Sequence, residues 1–176
     1  MMDPTKSMDT DPTVYMDKVR AALGARGFDV LSAEVAGRSV IVGRRADFRW
    51  RWFAVRLHTS VIIGSFNAAE ARRDQLDRFL DAASRWAVQH GRGRAHGLQS
   101  GTATVVVAVV SGDAGEARAW ASNPHGRRSA DLAYPVAVDL PGAIVVQPRR
   151  VIVGAIFIPY LRGIVHDIIA APLRRP

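Results

Sequence analysis

The run Thr102–Val110, with the sequence TATVVVAVV, is apolar at almost every position. A β-strand points successive side chains to opposite faces, so this run is apolar on both faces of the strand it forms. Strands of that kind lie in the centre of a sheet that is covered on each side. The run therefore predicts a buried central strand with helices packed against the sheet.

Helical periodicity flanks this strand on both sides. Asp11 suits the N-cap of a first helix, Pro12 suits its first position, and Gly27 ends it. The segment Asn67–His90 repeats apolar residues at helical spacing and opens with a capping-box pattern. A shorter helix follows the central strand and is stopped at Asn123 by the proline after it.

The segments between these helices have strand patterns, because short apolar or alternating runs are bounded there by turn residues. The predicted strands are Phe28–Val35, Ser39–Gly43, a third strand within Ala46–Phe66, Thr102–Val110, an edge strand over Leu132–Val138 and Ala143–Gln147. We therefore predict a single α/β (α+β) domain over residues 11–176, with a mixed central β-sheet flanked by helices. Residues 1–10 are polar and predict a disordered lead-in.

The stretch Ala46–Phe66 changes the parity of its apolar residues. They stand at even positions from Phe48 to Trp52 and at odd positions from Phe53 onward. A strand cannot change its buried face without an extra residue, so we expect a β-bulge or tight bend at about Arg51–Phe53. An antiparallel strand with one face in water would follow. The polar face of that strand would display Arg56, His58 and Ser60.

Basic residues give the chain a formal net charge of +8, which suits a polyanion partner, either nucleic acid or an anionic membrane surface. Lysine occurs only at Lys6 and Lys18, and the resulting arginine bias also follows from GC-rich codon usage. Trp50 and Trp52 alternate along the sequence with Arg49 and Arg51. In one interpretation the tryptophans stack on bases while the arginines pair with phosphates; in the other the tryptophans belong to the core. The candidate ligands for an anion or a nucleic acid are Arg44, Arg45, Arg49, Arg51, Arg92, Arg94, Arg127 and Arg128.

The chain has no cysteine, which excludes disulfides, thiolate catalysis and cysteine-based metal sites and fits a cytoplasmic location. The histidines lack ligand spacing, so we expect neither a metal site nor a cofactor. The apolar segment Val151–Leu173 predicts a strand or buried turn and then a helix from Pro159. Arg162, His166 and Asp167 interrupt it too early for a transmembrane span.

The order helix, three strands, helix, strand, which ends at Val110, resembles the core of the PD-(D/E)xK nuclease family. The resemblance implies that Asp47 stands for a metal-binding carboxylate, with Arg56 and His58 at the place of the second acid and the lysine. A magnesium site then lacks most of its protein ligands, so the implied nuclease is inactive. A hydrolase would require these three side chains to meet another carboxylate, such as Glu34, in one pocket.

Three hypotheses about function follow from these patterns. The first is a non-catalytic binding module for a nucleic acid or another anionic partner, recognised through the arginines of the Arg44–Arg51 region and nearby loops. The second is the nuclease-like hydrolase centred on Asp47, Arg56 and His58. The third makes the apolar C-terminal segment a surface for homo-oligomers or for a membrane.

Overall fold

A computed structural model of the chain describes residues 11–48, 56–90, 100–123, 132–149 and 155–174. The elements are α1 (Pro12–Ala25), β1 (Asp29–Val35), β2 (Arg38–Phe48), β3 (Arg56–Phe66), α2 (Arg73–His90), β4 (Ser100–Val110), α3 (Gly115–Ser122), β5 (Leu132–Asp139), β6 (Ile144–Val146) and α4 (Ala155–Leu173). Within α4, an α-helical part over Ile158–Ile164 continues into a π-helical turn over Val165–Ala170. The predicted lead-in over residues 1–10 and the predicted bend at Arg51–Phe53 lie outside the described residues.

The strands form one six-stranded mixed sheet in the order in which they occur along the chain. Strands β3, β4 and β5 are parallel, while β1 pairs antiparallel with β2, β2 with β3, and β5 with β6. The prediction of a single α/β domain with a mixed central sheet is confirmed. Both helices that connect parallel strands, α2 and α3, pack on the same face. The strand order therefore does not reverse between β3 and β5, and these strands have no switch point of the kind that forms a ligand crevice in doubly wound sheets.

Two apolar clusters cover the two faces of the sheet. Side chains of α2 and α3 pack on one face, called here the α2/α3 face, where the buried rings are those of Phe66, Phe79 and Trp120. Side chains of α1 and α4 pack on the other, the α1/α4 face. Strand β4 contributes alternately to both, with Val106 on the α2/α3 face and Val105 on the α1/α4 face, and both are fully buried. The predicted central strand is confirmed.

The start of α2 differs from its prediction. Asn67 and Glu70 exchange both hydrogen bonds of a capping box, at 3.1 and 3.0 Å, yet they do so in a turn that precedes the helix. The helix begins at Arg73, whose backbone N–H donates to Glu116 Oε2 of α3 at 2.9 Å. A carboxylate from a neighbouring helix thus satisfies a donor of the first turn, which the local sequence pattern does not reveal.

The prediction that β5 is an edge strand is wrong, because β5 lies between β4 and β6. Pro135 is compatible with this interior position because β6 pairs only with Ala137–Asp139 and does not extend as far as the proline. The missing N–H of the proline therefore removes no bond of that ladder.

Helix α4 packs its apolar side against the α1/α4 face of the sheet. Its buried side chains are Ile158, Leu161, Ile164, Val165, Ile168 and Ile169. By length and composition alone α4 would also be able to cross a membrane, and 39% of its most apolar window is buried inside the protein. A 3₁₀ turn over Ala155–Phe157 stands where the sequence predicted a strand or buried turn, and residues 151–154 of that prediction lie outside the described residues.

Candidate functional site: a polar corner of the sheet

Polar side chains replace the apolar core of the α2/α3 face at the amino ends of β3 and β4. The strand register places three of them in one row across β2, β3 and β4, namely Arg44, Ser60 and Thr104. A second row toward the amino ends holds His58 and Thr102. Because side chains alternate along a strand, these residues share the face of the apolar α2/α3 cluster. We name the set the polar corner; its members are Arg44, Arg56, His58, Ser60, Thr102 and Thr104.

The polar corner opens gradually toward solvent. Thr104 is fully buried and Ser60 is 6% exposed, whereas His58 and Thr102 are half-buried and Arg56 is exposed. The reason is the length of α2, which runs back along β3 and β4 and ends at the inner row. The sequence prediction of a strand face in water is therefore wrong at Ser60 and holds only at the amino end of β3.

Arg44 links three elements at the inner row. Its guanidinium donates to Asp29 Oδ2 of β1 at 2.9 Å and to the backbone carbonyl of His90 at 3.3 Å. A cation at this place caps the carboxyl end of α2 and complements the negative end of the helix dipole. Arg44 therefore fixes the helix end above the sheet.

Two buried polar atoms in this row have no hydrogen-bond partner. They are Arg44 Nε and Thr104 Oγ1, and no other buried side-chain nitrogen or oxygen of the described residues is unpaired. A buried donor without a partner costs about 1–3 kcal/mol, and buried polar groups in folded proteins are nearly always paired. These two unpaired atoms lie on one face and in one cross-strand row. An additional polar group that formed hydrogen bonds with them would therefore stabilise the folded protein.

Replacing His58 by glutamine is expected to reduce the loss of stability at acidic pH. Burial, and then the positive charge of Arg56, lower the pKa of His58 below its ordinary value of 6.5. The unfolded chain then binds this proton more readily than the folded one, so stability falls as the pH drops from 6.5 toward the folded pKa. Thermal unfolding at about pH 7.5 and about pH 5 would measure the difference. An equal drop in Tm for both proteins would contradict the expectation.

A second polar network lies on the opposite face of the sheet. Asp47 accepts hydrogen bonds from Arg45 Nε at 2.8 Å and from the Tyr160 hydroxyl of α4 at 2.5 Å, and Thr59 donates to that hydroxyl at 3.4 Å. Burial and the bond to Asp47 raise the pKa of Tyr160, which keeps its hydroxyl protonated as a donor. The network fastens α4 to β2 and β3, and we assign it a structural role.

The candidate catalytic residues are not brought together. Asp47 pairs with Leu57 and lies on the α1/α4 face, whereas Arg56 and His58 lie on the α2/α3 face. Glu34 pairs with Ser39, eight residues along β2 from Asp47, which corresponds to about 27 Å. A hydrolase centred on these residues requires their side chains to meet in one pocket, and this arrangement keeps them apart. The described part of the chain also contains no group of three or more histidines and acids placed to hold a metal ion.

The predicted arginine cluster is divided between the two faces. Arg44 belongs to the polar corner, while Arg45 belongs to the network around Tyr160 and stacks on the ring of Phe28 at 4.5 Å. The remaining candidates lie outside the described residues; they are Arg49, Arg51, Arg92, Arg94, Arg127 and Arg128. Sequence reasoning overlooked Thr102 and Thr104, although two hydroxyls spaced two residues apart in an apolar run are a signal of one polar strand face.

The polar corner thus combines hydroxyl, imidazole and guanidinium groups, which donate hydrogen bonds, and the carboxylate of Asp29 beside it already pairs with Arg44. This chemistry suits an oxyanion. Comparison of the chain with protein-family models, with curated proteins and with solved structures finds no match.

Proposed function

We propose that the protein is a non-catalytic binding module that recognises a nucleic acid or another anionic partner at the polar corner. The observation that carries the proposal is the pair of unpaired buried atoms, Arg44 Nε and Thr104 Oγ1, in one row behind an exposed arginine. Unpaired donors favour a ligand that brings acceptors, and phosphate oxygens are strong acceptors.

The charges around the corner support a modest attraction for anions. Among the residues that the structure describes, the guanidiniums of Arg44 and Arg56 face one carboxylate, that of Asp29. The carboxyl end of α2 contributes roughly half of a negative charge. The balance is a small positive excess, so binding is expected to be weak to moderate and to weaken as salt is added.

The same geometry disfavours hydrolysis as the activity. A metal-dependent mechanism needs several oxygen ligands on one site, and within the described part of the chain the inner row has one acid, Asp29, which binds Arg44. Asp47 is on the other face of the sheet, bonded to Arg45 and Tyr160. A binding role is therefore the better supported of the two hypotheses.

Replacing Arg56 by glutamine is expected to weaken binding of single- or double-stranded oligonucleotides about threefold to tenfold, because it removes one phosphate contact at the mouth of the corner. The dependence of the logarithm of the affinity on the logarithm of the salt concentration should fall by about one unit. Filter binding at two salt concentrations measures both quantities. Arg56 is the variant of choice because Arg44 also caps α2.

The matched control is Arg78→Gln, which removes an exposed arginine of α2 that pairs with Asp74. It is expected to leave the affinity unchanged apart from the small effect of net charge. If the wild-type protein shows no salt-sensitive binding, or if the two variants lose equal affinity, the polar corner is not the contact surface.

A further inference from the structure

We infer that the buried floor of the polar corner holds a terminal phosphate group, with Thr104 Oγ1 and Arg44 Nε, which have no hydrogen-bond partner within the protein, as donors. The inference rests on the proposed function and names the part of the anionic partner that enters the site. Its basis is the placement of Ser60 and Thr104 beneath the end of α2, behind the half-buried His58 and Thr102.

The burial gradient favours the end of a ligand over its middle. An internal phosphodiester continues in two directions and stays at the exposed mouth beside Arg56. Thr104 has no exposed surface, whereas His58 and Thr102 toward the amino ends of the strands are half-buried. A terminal phosphate is bonded to the rest of its ligand on one side only, so it is the part of a ligand that can reach the buried floor while the rest stays at the mouth.

The donor set of the floor also matches a phosphate. Arg44 Nε offers one N–H, and the hydroxyl groups of Thr104 and Ser60 donate as well as accept. A phosphate presents several strong acceptor oxygens in a compact tetrahedron, so that one group reaches donors on neighbouring strands. A ligand with a neutral hydroxyl end would make weaker bonds and would not use the positive excess of the corner.

Replacing Thr104 by valine separates a binding role from a purely structural one. The variant keeps the shape of the side chain and removes the unpaired hydroxyl, so its Tm without phosphate should equal or exceed that of the wild type. Inorganic phosphate at about tenfold above its Kd should raise the Tm of the wild type by about 3 °C relative to chloride of equal ionic strength. The rise should be lost in Thr104→Val.

Thr59→Val is the matched control, because Thr59 is equally buried and lies on the same strand as Ser60 but on the opposite face, where its hydroxyl donates to Tyr160. This variant should keep the phosphate-induced rise in Tm. If Thr104→Val does not fold, Ser60→Ala removes the neighbouring hydroxyl and serves in the same comparison. A phosphate response that survives in the Thr104 or Ser60 variant, or that is absent from the wild type, overturns the inference.

Oligonucleotides identify the source of the phosphate. A single-stranded oligonucleotide with a 5′-phosphate should bind at least about threefold more tightly than the same strand with a 5′-hydroxyl. Thr104→Val should abolish that difference between the two strands. Equal affinity of the wild type for both strands contradicts the inference while the proposed function stands. A further outcome is that neither strand binds but inorganic phosphate still stabilises the wild type through Thr104. That result supports the phosphate site and rejects nucleic acid as its ligand.

Discussion

Replacing Leu161 by alanine is expected to lower the free energy of unfolding by about 2–5 kcal/mol. Leu161 is fully buried in the middle of the apolar side of α4, so its truncation removes contacts with the α1/α4 face and leaves a cavity. Chemical denaturation measures the change from the shift of the midpoint at constant slope. Arg162→Ala, at the exposed neighbouring position, loses the hydrogen bond from its guanidinium to the Arg149 carbonyl and should cost only about 1 kcal/mol.

This result tests whether the apolar C-terminal segment is available to a membrane or to a second copy of the chain. Six buried side chains of α4 contribute on the order of 9–18 kcal/mol of burial, which equals or exceeds the net stability of a typical domain. Detaching α4 would therefore be expected to remove much of the stability of the fold, even after the entropy that the freed residues regain is counted. If Leu161→Ala and Arg162→Ala behave alike, α4 is not part of the core, and light scattering and lipid flotation become the experiments that decide its role.

Replacing Trp120 by alanine is expected to cost about 3–5 kcal/mol of stability. The ring is fully buried on the α2/α3 face, and its indole N–H donates to Asp77 Oδ1 of α2 at 3.1 Å. Trp120→Phe keeps most of the apolar contact and loses this bond, so it should cost less than the alanine variant. Urea denaturation of the three proteins at one temperature gives the comparison.

The substitution Trp120→Ala should also destabilise the first turn of α2. Helix α3 carries Glu116, which accepts the backbone N–H of Arg73, so a loosened α3 weakens the first turn of α2. Hydrogen exchange of the amides of that turn should accelerate in Trp120→Ala. Trp86→Ala is the control, because Trp86 is only partly buried and stacks on His90 at the other end of α2. Equal losses of stability in the two alanine variants would contradict the central position of Trp120.

Most elements of the fold were predictable because their signals are local. Asp11 accepts a hydrogen bond from the Thr13 backbone N–H at 2.8 Å as an N-cap residue does, and Gly27 has the positive φ of a residue that follows a helix. The double apolar face of β4 predicted a covered central strand, which the two clusters confirm. The start of α2 escaped prediction because Glu116, which satisfies its first turn, is distant along the chain.

The candidate site was less predictable than the fold. The sequence drew attention to Arg56 and His58 on one strand face and to Arg44 within a basic stretch. It did not indicate that Ser60 and Thr104 would be buried beside Arg44, because that depends on which strands pair and where α2 ends. It also grouped Arg44 with Arg45, although adjacent residues of one strand face opposite sides of the sheet.

The sequence by itself determined the kind of protein that this chain forms: a mixed sheet with a buried central strand and amphipathic helices, since periodicity and capping act over a few residues. Only the tertiary structure decided that Asp47 is separated from His58 by the sheet and that the unpaired atoms of Arg44 and Thr104 share one row. Strand register and helix length set these relations, and both depend on contacts between residues that are far apart along the chain.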